Sequence, residues 1–351
     1  MEGLGINKLF MSPIIKFSKP SIAVIKNKKS FFEENEKHLS RVQKVNKIYS
    51  KQPLRKNCKT CNEPIGTVDI IVQNIEYSHC SNCGHFNGFY EDTIDFARSM
   101  YAQEDGKAYA KNYIDNYDAR VKDIYLPKVD FLLEVIKNEN DLNDLSLTDV
   151  GCGGGHFVKA CETMGLNAVG YDTNQELIKL GQSKMKNNKL VYQDMEKINS
   201  IIENNNSKIL SLVGVLEHVM RPIEVLKAFS KSKSKYLYLQ VPLFSFSVLL
   251  ESMNPDIFPR QLNAGHTHLY TDQSINYLCK KFKFEKKGEW WFGTDMVDLY
   301  RHLQIKIRSS NKDVKENIVN TLFGQFIDEI QNAFDKKKLC SGVNMVIKNN
   351  S

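Results

Sequence analysis

The sequence predicts an α/β protein: a mostly parallel sheet with helices on both faces, preceded by a small cysteine-rich unit. Three observations carry this. From about residue 127 onward, short apolar runs rich in β-branched and aromatic residues alternate with longer stretches of helical character. One run, Leu145 to Val150, breaks at Gly151-Cys152-Gly153-Gly154-Gly155 and restarts as Phe157-Val158-Lys159-Ala160-Cys161. That is the grammar of a buried parallel strand, a tight turn and a helix entry. Ahead of it stand two C-x2-C pairs, Cys58/Cys61 and Cys80/Cys83.

With 351 residues, 42% hydrophobic and 25% charged, the chain is long enough for one sizeable core and a smaller unit. No apolar run approaches the roughly 20 residues needed to span a membrane. The opening Met1-Glu2-Gly3-Leu4-Gly5-Ile6-Asn7-Lys8 lacks a charged region followed by an apolar one. The expectation is therefore no signal peptide and a cytoplasmic location. The net charge of +7 is concentrated at the front, where residues 1–59 hold 14 Lys and Arg against four Glu. Residues 1–56 read as a basic arm, either a solvated or packing segment or a contact for a polyanion. Phe31 to Tyr49 has weak apolar spacing but fits one helix.

Residues 57–90 follow as a separate unit. Cys58-Lys59-Thr60-Cys61, 18 intervening residues and Cys80-Ser81-Asn82-Cys83-Gly84 give two knuckles, each aiming two thiolates at one point. Four sulfurs at this spacing match a tetrahedral structural zinc site with no open position. Val68 to Val72 and Ile75 to Ser78 read as short strands of a zinc ribbon. A disulfide framework fits poorly, because nothing marks the chain as secreted. His79 and His85 flank the knuckles as bystanders, and Cys152, Cys161, Cys279 and Cys340 read as small packed hydrophobes.

Residues 91–126 form a tyrosine-rich linker with Tyr101, Tyr109, Tyr113, Tyr117 and Tyr125. Tyr109, Tyr113 and Tyr117 share one face if the segment is helical. Pro127 then opens a helix over Lys128 to Lys137.

The glycine loop decides what kind of ligand to expect. Helix-start amides behind such a loop suit an anionic group, and a strand–turn–helix of this kind cradles nucleotide-like cofactors. Counted from Gly151, however, the last glycine of the dinucleotide fingerprint falls at His156. Downstream, Asn167 to Asp172 reads as the second strand and ends in an acid 21 residues after Gly151. Such a carboxylate can accept both ribose hydroxyls. Leu190 to Met195, Ile209 to Val213 and Tyr236 to Pro242 read as further strands, the last stopped by proline.

The string Asp149-x-Gly151-x-Gly153-Gly154-Gly155 resembles motif I of the class I S-adenosylmethionine-dependent methyltransferases. Gly214-Val215-Leu216-Glu217-His218-Val219, after the fourth strand, resembles that family's next motif. The resemblance implies a Rossmann-like, seven-stranded sheet over 127–350. Phe284 to Phe292 would be its sixth strand and Cys340 to Lys348 its seventh and only antiparallel one. It implies that Asp149, Gly151, Gly153, Gly155, Asp172, Asp194, Met195 and Leu216 hold S-adenosylmethionine, Asp172 at the ribose and Asp194 at the adenine amino group. Asp194 reads equally well as a helix N-cap. In that family a tyrosine-bearing segment before the core often folds over the cofactor; an aromatic stripe that only packs is the other reading of Tyr109 to Tyr117.

Two insertions interrupt the domain, at about 243–265 and 294–338. The first is apolar, with Phe244, Phe246, Phe258 and Pro259, and suggests a substrate lid or partner surface; the second holds two helices. His266 and His268, two apart before a capped helix, are candidate general bases that would face the strand ends, and His218 is a third. Each could instead only cap or pack.

With its cysteine pairs, the chain resembles zinc-ribbon-bearing methyltransferases of bacterial surface-polysaccharide or secondary-metabolite pathways. That implies methylation of a hydroxyl or amine on a small polar acceptor, a sugar or sugar nucleotide. The sugar C-methyltransferases carry a sizeable further domain, which 294–350 does not match. Competing readings are an RNA methyltransferase gripping RNA through ribbon and basic arm, and a non-catalytic partner protein.

Overall fold

The computed structural model describes residues 12–22, 25, 30–101, 116–141, 144–263, 265–310 and 317–350. Among these residues twelve strands run in chain order: β1 Ile14–Phe17, β2 Ile70–Val72, β3 Ile75–His79, β4 Phe86–Gly88, β5 Ser146–Val150, β6 Asn167–Asp172, β7 Leu190–Tyr192, β8 Ile209–Val213, β9 Tyr236–Pro242, β10 His268–Leu269, β11 Glu285–Phe292 and β12 Gly342–Lys348.

The central sheet has the order β1-β11-β12-β9-β8-β5-β6-β7. Within it β12 alone runs antiparallel to its neighbours. The inner strands β8, β9 and β12 are largely apolar because both faces are covered. Along β9, Tyr236 and Tyr238 enter one buried cluster with Leu147, Phe157 and Val346. Leu237 and Leu239 enter the other, with Leu210, Leu212, Val343 and Met345. This is the period-two alternation of a pleated strand.

Helix starts follow local chemistry. Pro127 sits in the first turn of Leu126–Ile136. The Asn174 side chain accepts from the Glu176 and Leu177 amides to cap Gln175–Met185. Thr271 and Ser274 close a capping box on Asp272–Phe282.

The sheet has eight strands, not the seven expected. The added one is β1, from the basic arm, which lies parallel to β11 with Ile14 opposite Gly288 and Phe17 opposite Trp291. Four residues, with Lys16 among them, carry too short an apolar pattern to be read as a strand. The arm's helix is also interrupted, into Ser30–Glu33 and Asn35–Tyr49. The described residues of the second insertion hold three helices rather than two, Asp295–Ser309, Asn317–Leu322 and Ile327–Lys336.

A second, antiparallel sheet has the order β10-β4-β3-β2. Three strands belong to the cysteine-rich unit; the fourth, β10, comes from beyond the central sheet's fifth parallel strand. The first insertion packs on this sheet: Val248 and Leu262 join Val45, Tyr49, Val72, Ile75, Phe86 and Leu269 in one cluster. Of the apolar groups in this expected lid or partner surface, Val248, Phe258 and Leu262 are buried inside the molecule, while Leu249 and Met253 stay exposed. Buried charges fix the insertion from beneath. Arg260 donates to both carboxylate oxygens of Asp298 at 2.7–2.9 Å, and Glu251 accepts from the Arg260, Gln261 and Leu262 amides.

Candidate functional site

Strand order reverses between β5 and β8, so their connections leave in opposite directions and open a crevice at the strand ends. A cavity of about 570 Å³ occupies it. Its floor is the turn after β5. Gly151 has φ +75°, and a Cβ there would stand 2.5 Å from Val215 Cγ2, so only glycine fits. Gly155, at φ +71°, starts the helix His156–Thr163, and a Cβ would meet Leu190 Cδ1 at 2.5 Å. Gly155 thus shapes the loop from behind, while Gly151 and Gly153 line the cavity.

Asp172, at the tip of β6, holds this loop. Its carboxylate accepts from the Gly153 amide and from the Asn174 amide, both at 2.7 Å, and it lines the cavity. Burial pushes its pKa up, against the pull of those amides. Asp149 also lines the cavity, 2% exposed, and accepts from the Ser211 hydroxyl at 2.7 Å. Burial pushes it up to about 7; the Ser211 bond works against this, and the Asp172 charge adds to it. Asp194 caps the turn Met195–Lys197 by accepting from the Glu196 amide at 2.9 Å, and both Asp194 and Met195 line the cavity. Capping therefore does not exclude a ligand.

His156 takes the place where a dinucleotide loop has its last glycine. Its ring lies on Tyr117, centroids 4.2 Å apart, and near Tyr125 at 5.4 Å. The Tyr117 hydroxyl donates to the Gly154 carbonyl at 2.9 Å. The end of the tyrosine-rich linker thus clasps the glycine loop, and Tyr125, Ile94 and Ala97 line the cavity. Tyr109 and Tyr113 lie outside the described residues. Burial lowers the His156 pKa to about 3, so its role is packing as a neutral ring.

The three histidines part company. His218 lines the cavity, and its Nδ1–H donates to the Gly265 carbonyl at 2.8 Å. Burial lowers its pKa to about 4, leaving it neutral near pH 7. His266 stands beside it, ring centroids 5.0 Å apart, its Nδ1–H donating to the Gln261 carbonyl at 2.6 Å. His268 does not face the cavity. It lies on β10, 1% exposed, and shares a 2.8 Å hydrogen bond with His85 of the cysteine unit. A two-residue spacing puts both histidines on one face only in an extended strand, and the strand here begins at His268. Leu216 is likewise not at the cavity. It is fully buried, and Gly214 and Val215 line the wall instead.

Glu217 was passed over in the sequence, although it sits in the motif beside His218. It is 3% exposed, and burial pushes its carboxyl up to about 8. A buried acid next to a histidine after a parallel strand was the available signal.

The four cysteines converge at the knuckles. Cys58 and Cys83 sulfurs stand 3.6 Å apart, Cys61 and Cys80 3.3 Å, and all four lie within 4.8 Å of one another. Sulfurs about 2.3 Å from a shared tetrahedral zinc would stand about 3.8 Å apart, so the set fits that ion. The Cys83 thiol holds Cys58 low, at about 5, which favours a thiolate ligand. His85 is a buried neighbour, not a fifth donor to this cluster.

A strand-end cavity with a glycine loop and acids at three successive strand tips accommodates a nucleoside ligand. Residues 117–287 match the family model for a methyltransferase domain. The chain carries a methyltransferase domain. Its sheet is the α/β, mostly parallel kind on which methyl transfer is performed. The structure is similar to magnesium protoporphyrin IX methyltransferase from Synechocystis PCC 6803 with bound SAH, at TM-score 0.49 and 11% identity, covering 74% of this chain and 100% of that one. It is similar to phosphoethanolamine N-methyltransferase 2 from Haemonchus contortus, at TM-score 0.45 and 12% identity, covering 76% and 62%. A SAM dependent methyltransferase from Archaeoglobus fulgidus gives 0.38 and 15%, covering 62% and 93%. Comparison with curated proteins finds no match. Among the described residues of the methyltransferase, no helix is long and apolar enough to cross a membrane.

Proposed function

We propose that this methyltransferase uses S-adenosylmethionine to methylate a hydroxyl or amine of a small polar acceptor, a sugar or sugar nucleotide being the best match to its sequence. The observation that supports this most is the meeting of Gly151, Gly153, Asp149, Asp172, Asp194 and His218 around one cavity. Asp172 would take the ribose hydroxyls and Asp194 the adenine amino group, while buried Asp149 faces the cationic methionine end. When bound, the cofactor supplies a methyl group already activated on a sulfonium.

The chain's residues then align the acceptor and manage its proton. Asn199, Arg221 and Glu224 give the cavity polar groups for a hydroxylated acceptor, and its proton leaves at the His218 end. We assign zinc to Cys58, Cys61, Cys80 and Cys83 as a closed structural ion, making 57–90 a zinc ribbon beside a transferase domain over 127–350. The RNA reading loses two of its cations: Arg55 at the end of the arm and Lys59 in the cysteine unit are buried in ion pairs with Asp92.

Calorimetric titration tests the assignment. Wild-type protein should bind S-adenosylmethionine in the micromolar range and NAD not at all. Asp172→Ala should cost at least about 100-fold in affinity, from two or more lost charged hydrogen bonds. Unchanged affinity in a folded Asp172→Ala protein would overturn the cofactor assignment.

A further inference from the structure

Beside the cavity, at its lining residue His218, Glu217 and His266 complete a cluster that the cofactor reading does not use. Glu217, His218 and His266 each bring one donor atom, and these lie within 4.8 Å of one another. Glu217 Oε1 is 3.9 Å from His218 Nε2. Donor atoms about 2.1 Å from one tetrahedral ion stand about 3.4 Å apart, so side-chain shifts of about an ångström close the set.

Two further observations point to a ligand. Both imidazoles donate Nδ1–H to a backbone carbonyl, His218 to Gly265 and His266 to Gln261. In the neutral ring this leaves the lone pair on Nε2. A carbonyl behind the ring is the usual support of a metal-bound histidine, fixing both tautomer and orientation. Glu217, with its side chain almost wholly enclosed, has an Oε2 with no hydrogen-bond partner among the described residues. A buried carboxylate oxygen without a donor is costly, and a cation satisfies it.

We infer that Glu217, His218 and His266 form a second metal site, taking a divalent ion of the zinc, manganese or cobalt class and leaving coordination positions open on the cavity side. Two imidazole nitrogens and one carboxylate oxygen suit these borderline ions. His218 lines the cavity, so the ion would sit against its wall. An acceptor hydroxyl in one of the open positions would have its pKa lowered by several units, which is the chemistry such an ion would supply. This deepens the reading of the cavity as a methyl-transfer site and rests on it.

Cobalt substitution tests the site without an activity assay. Full-length protein is stripped of metal, reloaded with Co2+, desalted and measured for cobalt content and visible absorption. About two cobalt per chain are expected: one with the intense thiolate charge-transfer bands of a four-cysteine site, one with only weak d–d bands. Glu217→Gln and, separately, His266→Asn should each lose the second cobalt and its weak bands while keeping the thiolate bands, which report an intact fold. About one cobalt in the wild type, or two in both variants, would overturn the site. S-adenosylmethionine titration of the same samples reports the transfer reading independently. Its failure beside two cobalt would sink that reading and spare the metal.

Discussion

The two donor clusters of this enzyme differ in how they are finished. At the cysteine knuckles the four sulfurs surround one point, and the Thr60 amide and Asn87 side chain donate to Cys58 from outside. At Glu217, His218 and His266 two backbone carbonyls hold the rings, and of the three only His218 reaches the cavity wall. An ion at the first would be fully ligated by the chain; an ion at the second would keep positions open. The contrast teaches that donor identity and closure, more than donor proximity, separate structural ligation from chemistry.

Cys83→Ser attacks the comparison at its strongest point. A metal held at the knuckles would support β2 to β4, and through them the cluster of Val45, Tyr49, Phe86 and Leu269. Removing one sulfur should cost several kcal/mol and lower the thermal midpoint, with chelator mimicking the effect on wild type. A melt that neither the variant nor chelator moves would show that the knuckles need no metal.

The pH dependence of cofactor binding gives a middle-sized effect. Asp149, held up at about 7, is protonated below that value and charged above it. A cationic ligand group prefers the charged form, so affinity should fall about tenfold between pH 8 and pH 6, and Asp149→Asn should flatten the profile. The ligand-free protein should show the opposite sense in stability. A carboxyl raised in the folded state binds a proton the unfolded chain has released, so stability declines from about pH 4 to pH 7 and then levels. Titrations at three pH values check the first statement and denaturant melts the second.

Glu217→Gln should have the smallest effect. It keeps shape, and burial already holds the carboxyl mostly protonated near pH 7, so the unfolding free energy of metal-free protein should move by less than about 1 kcal/mol. A loss matching that of Cys83→Ser would erase the distinction between the clusters.

How far the sequence could be read followed from how local each signal was. β8 and β9 carry largely apolar runs because they are buried on both faces, and β6 is bounded by Asn167 and Asp172, so their limits are legible to the residue. The glycine loop was legible because Gly151 answers to a contact that nothing larger survives. β1 was not, since Ile14–Phe17 is defined by a partner strand far along the chain. His266 and His268 look equivalent in sequence; what separates them is that β4 hydrogen-bonds to β10, pulling His268 onto His85. Glu217 shows no sign of its burial until the residues around it are assembled.

That β4–β10 pairing also sets a timetable. His268 lies opposite Asn87, and Ile14 of β1 lies opposite Gly288. Each sheet therefore takes a strand from the front of the chain and another from well beyond its midpoint. A ribosome releases the cysteine unit long before the strand that completes its sheet, and β1 long before its neighbour. Loop closures of this length are slow. The front third of the chain must wait, exposed and half-paired, for the rest of the enzyme to emerge.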